Sequence, residues 1–383
     1  MAKCIGCGIK LQSLNRDLPG YVPTIISDEL NEQAYCQRCF QIIHNGKKYR
    51  PLISYTDYYN KIKAIKEKNA LVLLMIDVMD IYGGFIPNLS EYIGKNPVVI
   101  LLNKVDLMPK DVKLKRIDDR LRLIANEQNL NLKGIIMISA LKKQNLDAVI
   151  DKIIKIKKDY AKTLITYRDK RKKKMNECYL LGCASVGKST LINAIKTKYL
   201  NDNQLLTTSD QFQTTMDFIK IYIDEDDYII DTPGLINKAS YGAYLDYESM
   251  TILTPKTYLK PRTFQLNPDQ TIFLGGLVRL TFTNGEKINV SFYVSNDLYI
   301  HRTKTANADT IYQTQISKLL TPPKTIEEYE KIKNLKTISF KNLDGGHDLL
   351  ISGIGFVHIV GVNVSLDVSI YQKIDVRVVP EFI

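Results

Sequence analysis

Short apolar runs alternate with amphipathic stretches over residues 51–255. Four of these runs predict buried strands, and they cover residues 98–102, 135–138, 178–181 and 228–230. Continuous apolar strands separated by helical stretches are typical of a largely parallel sheet that carries helices on its faces. We therefore predict an α/β domain in this part of the chain.

From about residue 264 the pattern changes to an alternation of apolar and polar positions, as in residues 367–371. A period of two is typical of strands with one buried face, and Asn-Gly and Gly-Gly pairs between such runs predict turns. One helical stretch near residues 310–320 interrupts the strands. Because Pro255 marks a boundary, we predict a β-rich domain over residues 256–383.

A phosphate-binding motif, Gly-x-x-x-x-Gly-Lys-Ser, lies between the predicted strand 178–181 and the start of a predicted helix. Its glycines let the backbone curl around phosphate oxygens, and the loop amides offer partial positive charge to a β-phosphate. Lys188 would reach the β- and γ-phosphates, and the Ser189 hydroxyl would bind Mg²⁺. A chance glycine turn is the alternative, which the flanking strand and helix disfavour. The predicted nucleotide-binding residues of this motif are Gly182, Ser185, Val186, Gly187, Lys188, Ser189 and Thr190.

A second motif, Asp-Thr-Pro-Gly, runs from Asp231 to Gly234 after another predicted strand. The carboxylate can hold Mg²⁺ through water, and the glycine amide can approach a γ-phosphate and sense its loss. The Thr-rich stretch 207–215 supplies Thr215 as a further candidate Mg²⁺ ligand, although such a composition also suits a solvated loop. The candidate catalytic residues are therefore Lys188, Thr215, Asp231 and Gly234.

A third motif, Asn-Lys-x-Asp, comprises Asn103, Lys104 and Asp106 and follows an apolar strand. The Asp106 carboxylate can accept hydrogen bonds from N1 and N2 of guanine, donors that adenine lacks. Leaving a buried carboxylate unpaired costs about 1–3 kcal/mol, so this side chain selects GTP and GDP over ATP. Lys104 would cover the base and Asn103 would tie neighbouring loops together. Ser139-Ala140, at the end of another strand, would offer a backbone amide to guanine O6.

The order of these motifs is unusual, because the guanine motif at residues 103–106 precedes the phosphate motif. A binding site needs loops that are adjacent in space, so a permuted chain can keep the same site. The order resembles that of circularly permuted GTPases. Further stretches narrow the resemblance to the YqeH family, and they are residues 4–8, 35–40, 77–83, 273–279 and 351–355. The resemblance implies a factor in assembly of the small (30S) ribosomal subunit, with the subunit, its precursor or ribosomal RNA as partner.

Two positions depart from familiar GTPases. Leu235 stands after Gly234, where Ras-like enzymes carry the glutamine that orients water, so we expect slow intrinsic hydrolysis. Ser185 stands where relatives in the family usually have an asparagine that is associated with potassium-stimulated hydrolysis. Potassium dependence is therefore left open.

Two Cys-x-x-Cys pairs, formed by Cys4, Cys7, Cys36 and Cys39, predict a tetrahedral zinc site. The 28 residues between the pairs exceed the usual spacing. The longer loop costs roughly 0.4 kcal/mol, which is small against about 10 kcal/mol for zinc binding. A redox dithiol is the alternative, although no thioredoxin-like strand pattern surrounds either pair. We therefore predict a zinc-knuckle module over residues 1–50.

Composition and charge bear on location and partner. The chain has 383 residues, of which 45% are hydrophobic, and a formal net charge of +12. No apolar run is long enough for a membrane span and no charged-then-apolar leader is present, so we expect a chain that neither spans a membrane nor is secreted. The phosphate loop and the paired cysteines suit the reducing, nucleotide-rich cytoplasm. The oligomeric state is unknown, with a monomer favoured. The basic run at residues 170–174 favours RNA phosphates as partner, with a solvated helix face as the alternative.

These features predict a GTP-hydrolysing, RNA-binding switch, and the family resemblance implies that it acts on the assembling small subunit. A γ-phosphate contact that orders residues 234–250 would change the pose of the β-rich domain. One alternative is an RNA-binding scaffold that uses GTP as a structural ligand, and another is a partner GTPase of tRNA modification.

Overall fold

The computed structural model describes residues 11, 13, 21–22, 55–166, 175–199, 219–222 and 228–382. Within them the chain forms an α/β domain, residues 55–253, and a β-rich domain, residues 262–382, which we call the tail domain.

Helices and strands alternate in the α/β domain. Its strands are β1 (Ala70–Asp77), β2 (Val98–Asn103), β3 (Leu132–Met137), β4 (Glu177–Gly182), β5 (Ile219–Tyr222) and β6 (Tyr228–Asp231). Its helices are α1 (Tyr55–Lys63), α2 (Leu89–Ile93), α3 (Leu114–Glu127), α4 (Leu146–Thr166), α5 (Lys188–Tyr199) and α6 (Tyr247–Leu253). The strands form one sheet in the order β3-β2-β1-β4-β6-β5, parallel except where β5 pairs with β6. The predicted parallel sheet is confirmed.

The central strand β1 shows why this sheet is buried on both faces. Its side chains point alternately to the two faces, and Val72 and Leu74 enter one hydrophobic cluster with residues of α1 and α3. Leu71 and Leu73 enter a second cluster with residues of α4 and α5. A strand covered by helices on both faces therefore has the continuous apolar sequence from which it was predicted.

The tail domain is one antiparallel sheet with two short helices. Its strands are β7 (Arg262–Leu266), β8 (Gln270–Leu274), β9 (Val278–Val294), β10 (Ile300–Lys304), β11 (Leu335–Ile351), β12 (Gly355–Tyr371) and β13 (Val376–Pro380). They are arranged in the order β10-β8-β9-β12-β11-β13, and β7 pairs with β9. The helices are α7 (Thr305–Gln315) and α8 (Ile326–Ile332). The β-rich character is confirmed, and the helix expected near residues 310–320 begins earlier, at Thr305.

Two of the predicted turns are wrong. Asn284-Gly285 lies inside β9, and Gly345-Gly346 lies inside β11. The pairings of β12 with both strands shift register near these pairs, where the sheet has bulges. Gly285 and Gly345 have φ angles of +134° and +79°, which glycine adopts without a steric cost. The glycines that predicted hairpin turns therefore lie at bulges in the pairing of long strands.

The two domains pack directly against each other. Tyr293, Phe356 and Phe382 of the tail domain belong to the same hydrophobic cluster as residues of α3. The backbone N–H of Leu259, in the segment between the domains, donates to Leu107 O at 2.9 Å. The tail domain therefore lies beside the turn that follows β2, which carries the predicted guanine motif.

Candidate nucleotide-binding site

Parallel strands bring the predicted motifs to one edge of the sheet. Asp77 at the end of β1 pairs with Asn103 at the end of β2, and Leu180 of β4 pairs with Asp231 at the end of β6. Gly182 ends β4 on the same side. Ligands of open α/β sheets bind beyond the carboxyl ends of their strands. The guanine, phosphate and Asp-Thr-Pro-Gly motifs therefore meet at one place.

The phosphate loop joins β4 to α5 and needs glycine at both ends. A Cβ on Gly182, which has a φ of +155°, would lie 2.6 Å from Met75 O. Gly187 has a φ of +104°, and a Cβ there would overlap the Asn103 amide nitrogen. Ser185 in the middle of the loop is also left-handed, with a φ of +66°. Neighbouring strands thus force the loop into a tight curl whose amides can face a phosphate.

Lys188 and Asp231 are the buried charges of the site. Nζ of Lys188 donates to Gly182 O at 2.8 Å and to Cys183 O at 3.1 Å. Burial lowers the pKa of Lys188, and the nearby Asp231 carboxylate opposes that shift. Burial raises the pKa of Asp231 to about 6, against the attraction of Lys188. Both charges are costly to bury alone, so a phosphate and a cation placed between them would stabilise them.

Asp231 and Ser189 of the nucleotide site fit a magnesium ion. Oδ1 of Asp231 is buried and has no hydrogen-bond partner among the described residues. Ser189, in the first turn of α5, is exposed. Carboxylate and hydroxyl oxygens are the ligands that Mg²⁺ prefers. Thr215, the third predicted ligand, lies outside the described residues.

Asn103 ties the guanine side of the site to the phosphate side. Its Nδ2 donates to Val186 O in the phosphate loop at 2.7 Å, and its Oδ1 accepts from Ala140 N at 2.9 Å. One buried side chain thus fixes the relative position of two loops. Because the Ala140 amide is already bonded to Asn103, guanine O6 would share it or take the amide of Leu141.

Lys104 and Asp106 lie where the base would bind. Lys104 adopts a left-handed conformation, with a φ of +67°, and its Nζ contacts Asp77 Oδ2 at 2.5 Å. This ion pair orients the lysine stem. Asp106 Oδ2 lies 3.6 Å from Nζ of Lys142, a side chain that is 63% exposed. An exposed surface lysine can be displaced by the N1 and N2 donors of guanine.

The Asp-Thr-Pro-Gly motif ends against the phosphate loop. A Cβ on Gly234 would lie 2.8 Å from Ala184 Cα and 3.2 Å from Nζ of Lys188. Leu235 is only 3% exposed, so its side chain points into the core and cannot orient a water molecule.

Asp80, three residues beyond β1, was not among the predicted site residues. Its carboxylate accepts hydrogen bonds from Gly83 N at 2.9 Å, Ser352 Oγ at 2.6 Å and Gly353 N at 3.1 Å. Burial raises the pKa of Asp80 to about 6, although these hydrogen bonds oppose the shift. The carboxylate thus joins a loop at the edge of the nucleotide site to the tail domain. Both stretches, 77–83 and 351–355, carried the family resemblance, but no local pattern indicated that they touch.

Cys4, Cys7, Cys36 and Cys39, like the basic run at residues 170–174, lie outside the described residues. Among the residues that are described, no three His, Cys, Asp or Glu side chains cluster as metal ligands. None of the described helices has the length and apolar character needed to cross a membrane.

The fold and the site define a P-loop GTPase whose sequence is circularly permuted. Residues 177–256 match the family model described as 50S ribosome-binding GTPase, and residues 287–381 match the one described as YqeH-like, C-terminal. Over 354 residues the chain is 34% identical to the YqeH protein of Bacillus subtilis (strain 168), which covers 92% of each chain.

The chain therefore belongs to the YqeH family of circularly permuted GTPases. It is also 25% identical, over 407 residues, to NO-associated protein 1, chloroplastic/mitochondrial, of Arabidopsis thaliana, covering 93% of this chain and 69% of the relative. A further relative, named putative nitric oxide synthase, comes from Oryza sativa subsp. japonica and is 25% identical over 397 residues, covering 93% and 69% of the two chains.

Proposed function

We propose that this GTPase is a nucleotide-driven switch that acts in the cytoplasm on the assembling small ribosomal subunit. The observation that carries the proposal is the position of the tail domain, which contacts both ends of the nucleotide site. Tyr293 Oη donates to Asp111 Oδ2 at 2.8 Å in the segment that follows Asp106, and Asp375 N donates to Ala239 O at 2.9 Å, shortly after Gly234. A change at either end of bound GTP can therefore reach the tail domain.

Ribosomal RNA, the small subunit or its precursor is the proposed partner. The net charge of +12 favours phosphate contacts, which are salt-sensitive and carry little sequence specificity. The family resemblance favours the small subunit, whereas the family model that matches residues 177–256 is described as a 50S ribosome-binding GTPase. Both subunits therefore belong in any test.

Lys188, Ser189 and Asp231 are the proposed phosphate and Mg²⁺ ligands of the hydrolysis site, with Thr215 as an additional ligand. Magnesium would neutralise charge on the β- and γ-phosphates. Because Leu235 is buried, nothing at the glutamine position aligns the attacking water. Intrinsic turnover is therefore slow, and binding to a ribosomal particle orders the hydrolysis site.

We assign the remaining parts of the chain as follows. Residues 1–50 form a zinc-binding module on Cys4, Cys7, Cys36 and Cys39, and residues 51–255 form the GTPase domain. Residues 256–383 form the domain that contacts RNA or the ribosome. The basic run 170–174 adds to the RNA-binding surface.

Turnover on purified particles tests the proposal. GTP hydrolysis is measured with small subunits, their precursors, large subunits or tRNA at matched salt, and small-subunit particles are expected to raise kcat at least about tenfold. Stimulation by large subunits alone would move the partner to that subunit. Stimulation by tRNA alone would favour a role in tRNA modification. Binding to particles without any stimulation would leave the scaffold, with GTP as a structural ligand.

A further inference from the structure

The segment after Asp231 is hydrogen-bonded to the phosphate loop itself. Thr232 N donates to Leu180 O at 3.3 Å, which continues the β4–β6 pairing. Beyond Gly234, Leu235 N donates to Gly182 O at 3.3 Å and Leu235 O accepts from Ala184 N at 2.8 Å. The parallel bridge between Cys183 and Leu235 therefore extends the sheet into the nucleotide site.

The Leu235 side chain holds this main-chain contact in place. It is 3% exposed and belongs to the hydrophobic cluster that also contains Leu121 and Ile230. Burial of this side chain removes apolar surface from water and so stabilises the closed contact. A glutamine at position 235 would bury its polar amide among apolar side chains. Leucine therefore favours the contact between this segment and the phosphate loop.

The contact brings Gly234 close to the two nitrogen donors that face the phosphate-binding side of the loop, Ala184 N and Lys188 Nζ. Gly234 lies so close to the loop that a Cβ on it would be 3.1 Å from Ala184 N and 3.2 Å from Nζ of Lys188. A phosphate oxygen held between two nitrogen donors needs about 2.8 Å to each of them. Gly182 O also accepts from both Lys188 and Leu235. The lysine thus shares its loop acceptor with the segment that a γ-phosphate would displace.

We propose that Leu235 is a latch residue that sets the preference of this site for GDP over GTP. Its carbonyl accepts the hydrogen bond of the Ala184 amide, and its buried side chain holds the segment in place. A γ-phosphate therefore binds only when this hydrogen bond breaks and the segment moves away, which we call opening of the latch. The terminal phosphate of GDP would be held by the amides of α5 and its preceding turn, and would leave the bond between Ala184 N and Leu235 O in place. A ligand that binds one of two states better shifts the equilibrium by its difference in affinity.

Opening the latch has consequences beyond the phosphate loop. Asn237 Nδ2 donates to Gly83 O at 3.0 Å, and Ala239 O accepts from Asp375 N in the tail domain at 2.9 Å. Movement of Leu235 away from the phosphate loop would shift the segment that makes both of these hydrogen bonds. The latch therefore controls when the switch proposed above can bind GTP. Its biological role rests on that proposed function.

Nucleotide affinities of the isolated chain test the latch. GDP and a non-hydrolysable GTP analogue are titrated by calorimetry into wild type, Leu235→Ala and Leu235→Met. The alanine variant loses the buried side chain that holds the segment against the phosphate loop. We therefore expect the ratio of analogue Kd to GDP Kd to fall about tenfold, which corresponds to one or two backbone hydrogen bonds. The methionine variant keeps a buried side chain of similar volume and should stay within about twofold of wild type.

Leu121→Ala provides the matched control, because it removes the same atoms from the same hydrophobic cluster at a position on α3, outside the phosphate loop and the segment after Asp231. It should lower stability without changing the ratio of affinities. An unchanged ratio in Leu235→Ala, or an equal change in Leu121→Ala, would overturn the latch.

A spectroscopic readout keeps the test independent of overall stability. The chain has no tryptophan, so Lys238→Trp places a single reporter on the exposed part of the segment. Its emission should change with the GTP analogue and not with GDP, and Leu235→Ala should show the changed emission with either nucleotide. The same emission with both nucleotides in the reporter protein would contradict the latch. No ribosomal particle is present, so a negative result here and a negative result for particle-stimulated turnover are distinguishable.

Discussion

Single side chains join loops of the nucleotide site that are distant in sequence. Asn103 uses both ends of its amide, one on Val186 O and the other on Ala140 N. Neither a carboxylate nor an aliphatic side chain can donate and accept in this way. The geometry of the guanine pocket therefore depends on one buried amide, and the specificity of the pocket on Asp106 beside it.

Asp106→Asn should move the preference of the site from guanine to xanthine nucleotides. The amide donates where the carboxylate accepted, so the N1 and N2 donors of guanine lose their acceptor, whereas the C2 carbonyl of xanthine gains a donor. A loss of about 1–3 kcal/mol corresponds to roughly 5-fold to 150-fold weaker GDP binding. Competition between GDP and XDP measures it. Retention of the original preference for GDP would show that Asp106 does not read the base.

Asp80 predicts a dependence of stability on pH. Burial raises its pKa from the usual 3.8 to about 6, so the folded state holds this proton more tightly than the unfolded state. The contribution of this group is therefore fully present below about pH 4 and is lost as the pH rises through about 6. Asp80→Asn cannot ionise and should flatten this part of the profile. Urea unfolding of both proteins between pH 4 and 7 measures the difference, and parallel profiles would contradict the assignment.

Residue chemistry within a short motif could be predicted, and contacts between distant segments could not. Gly182, Gly187 and Lys188 have roles that follow from a strand, a turn and a helix in immediate sequence. The bond from Ser352 Oγ to Asp80 joins residues 272 positions apart. No periodicity or spacing encodes such a pair, because it depends on how two domains pack.

Among the secondary structure elements, the buried parallel strands were easier to predict than the bends of the tail domain. β2 and β4 are continuous apolar runs because helices cover both faces of the sheet. In contrast, Asn-Gly and Gly-Gly pairs supply left-handed backbone that suits a hairpin turn and a β-bulge equally well. What decides between them is the pairing of the strand with its neighbours, which is not local.

Two helices from different domains are joined by a buried carboxylate, which gives a prediction for stability. Glu328 of α8 accepts from Asp246 N at 2.7 Å, Ser249 Oγ at 2.6 Å and Lys324 N at 2.9 Å. Glu328→Ala leaves these donors without an acceptor and should lower the free energy of unfolding by about 3 kcal/mol. Glu327→Ala is the control, since that side chain is 86% exposed. Equal effects of the two variants in urea unfolding would show that the buried contacts add little.

The zinc-knuckle module is an element whose prediction rests on the sequence alone. Four thiolates in two Cys-x-x-Cys pairs should hold about one zinc ion per chain. Elemental analysis of protein purified without chelator measures the ratio, and Cys4→Ser together with Cys36→Ser should abolish it. Zinc-free protein whose cysteines are freely alkylated under native conditions would rule out the site and favour a redox dithiol.

At the scale of the whole molecule, the permuted order of motifs has a mechanical consequence. In the chain as it stands, the segment after Gly234 leads through α6 directly into the tail domain. The tail domain in turn contacts the segment after β2, where Tyr293 Oη donates to Asp111 Oδ2 at 2.8 Å. The tail domain thus contacts segments on two sides of the nucleotide site, so it is placed to respond to the bound nucleotide.

The affinity of the protein for ribosomal particles should therefore depend on the nucleotide. If GTP selects the binding-competent pose of the tail domain, linkage requires tighter binding of particles in one nucleotide state than in the other. Lys188→Ala removes the charge that compensates the phosphates and should abolish this dependence, while a residual salt-sensitive affinity for RNA remains. Co-sedimentation with small subunits in GTP analogue, GDP and no nucleotide, at matched salt, measures both effects. Equal affinities of the wild-type protein in all three conditions would remove the switch, because a ligand that binds two states equally cannot shift the equilibrium between them.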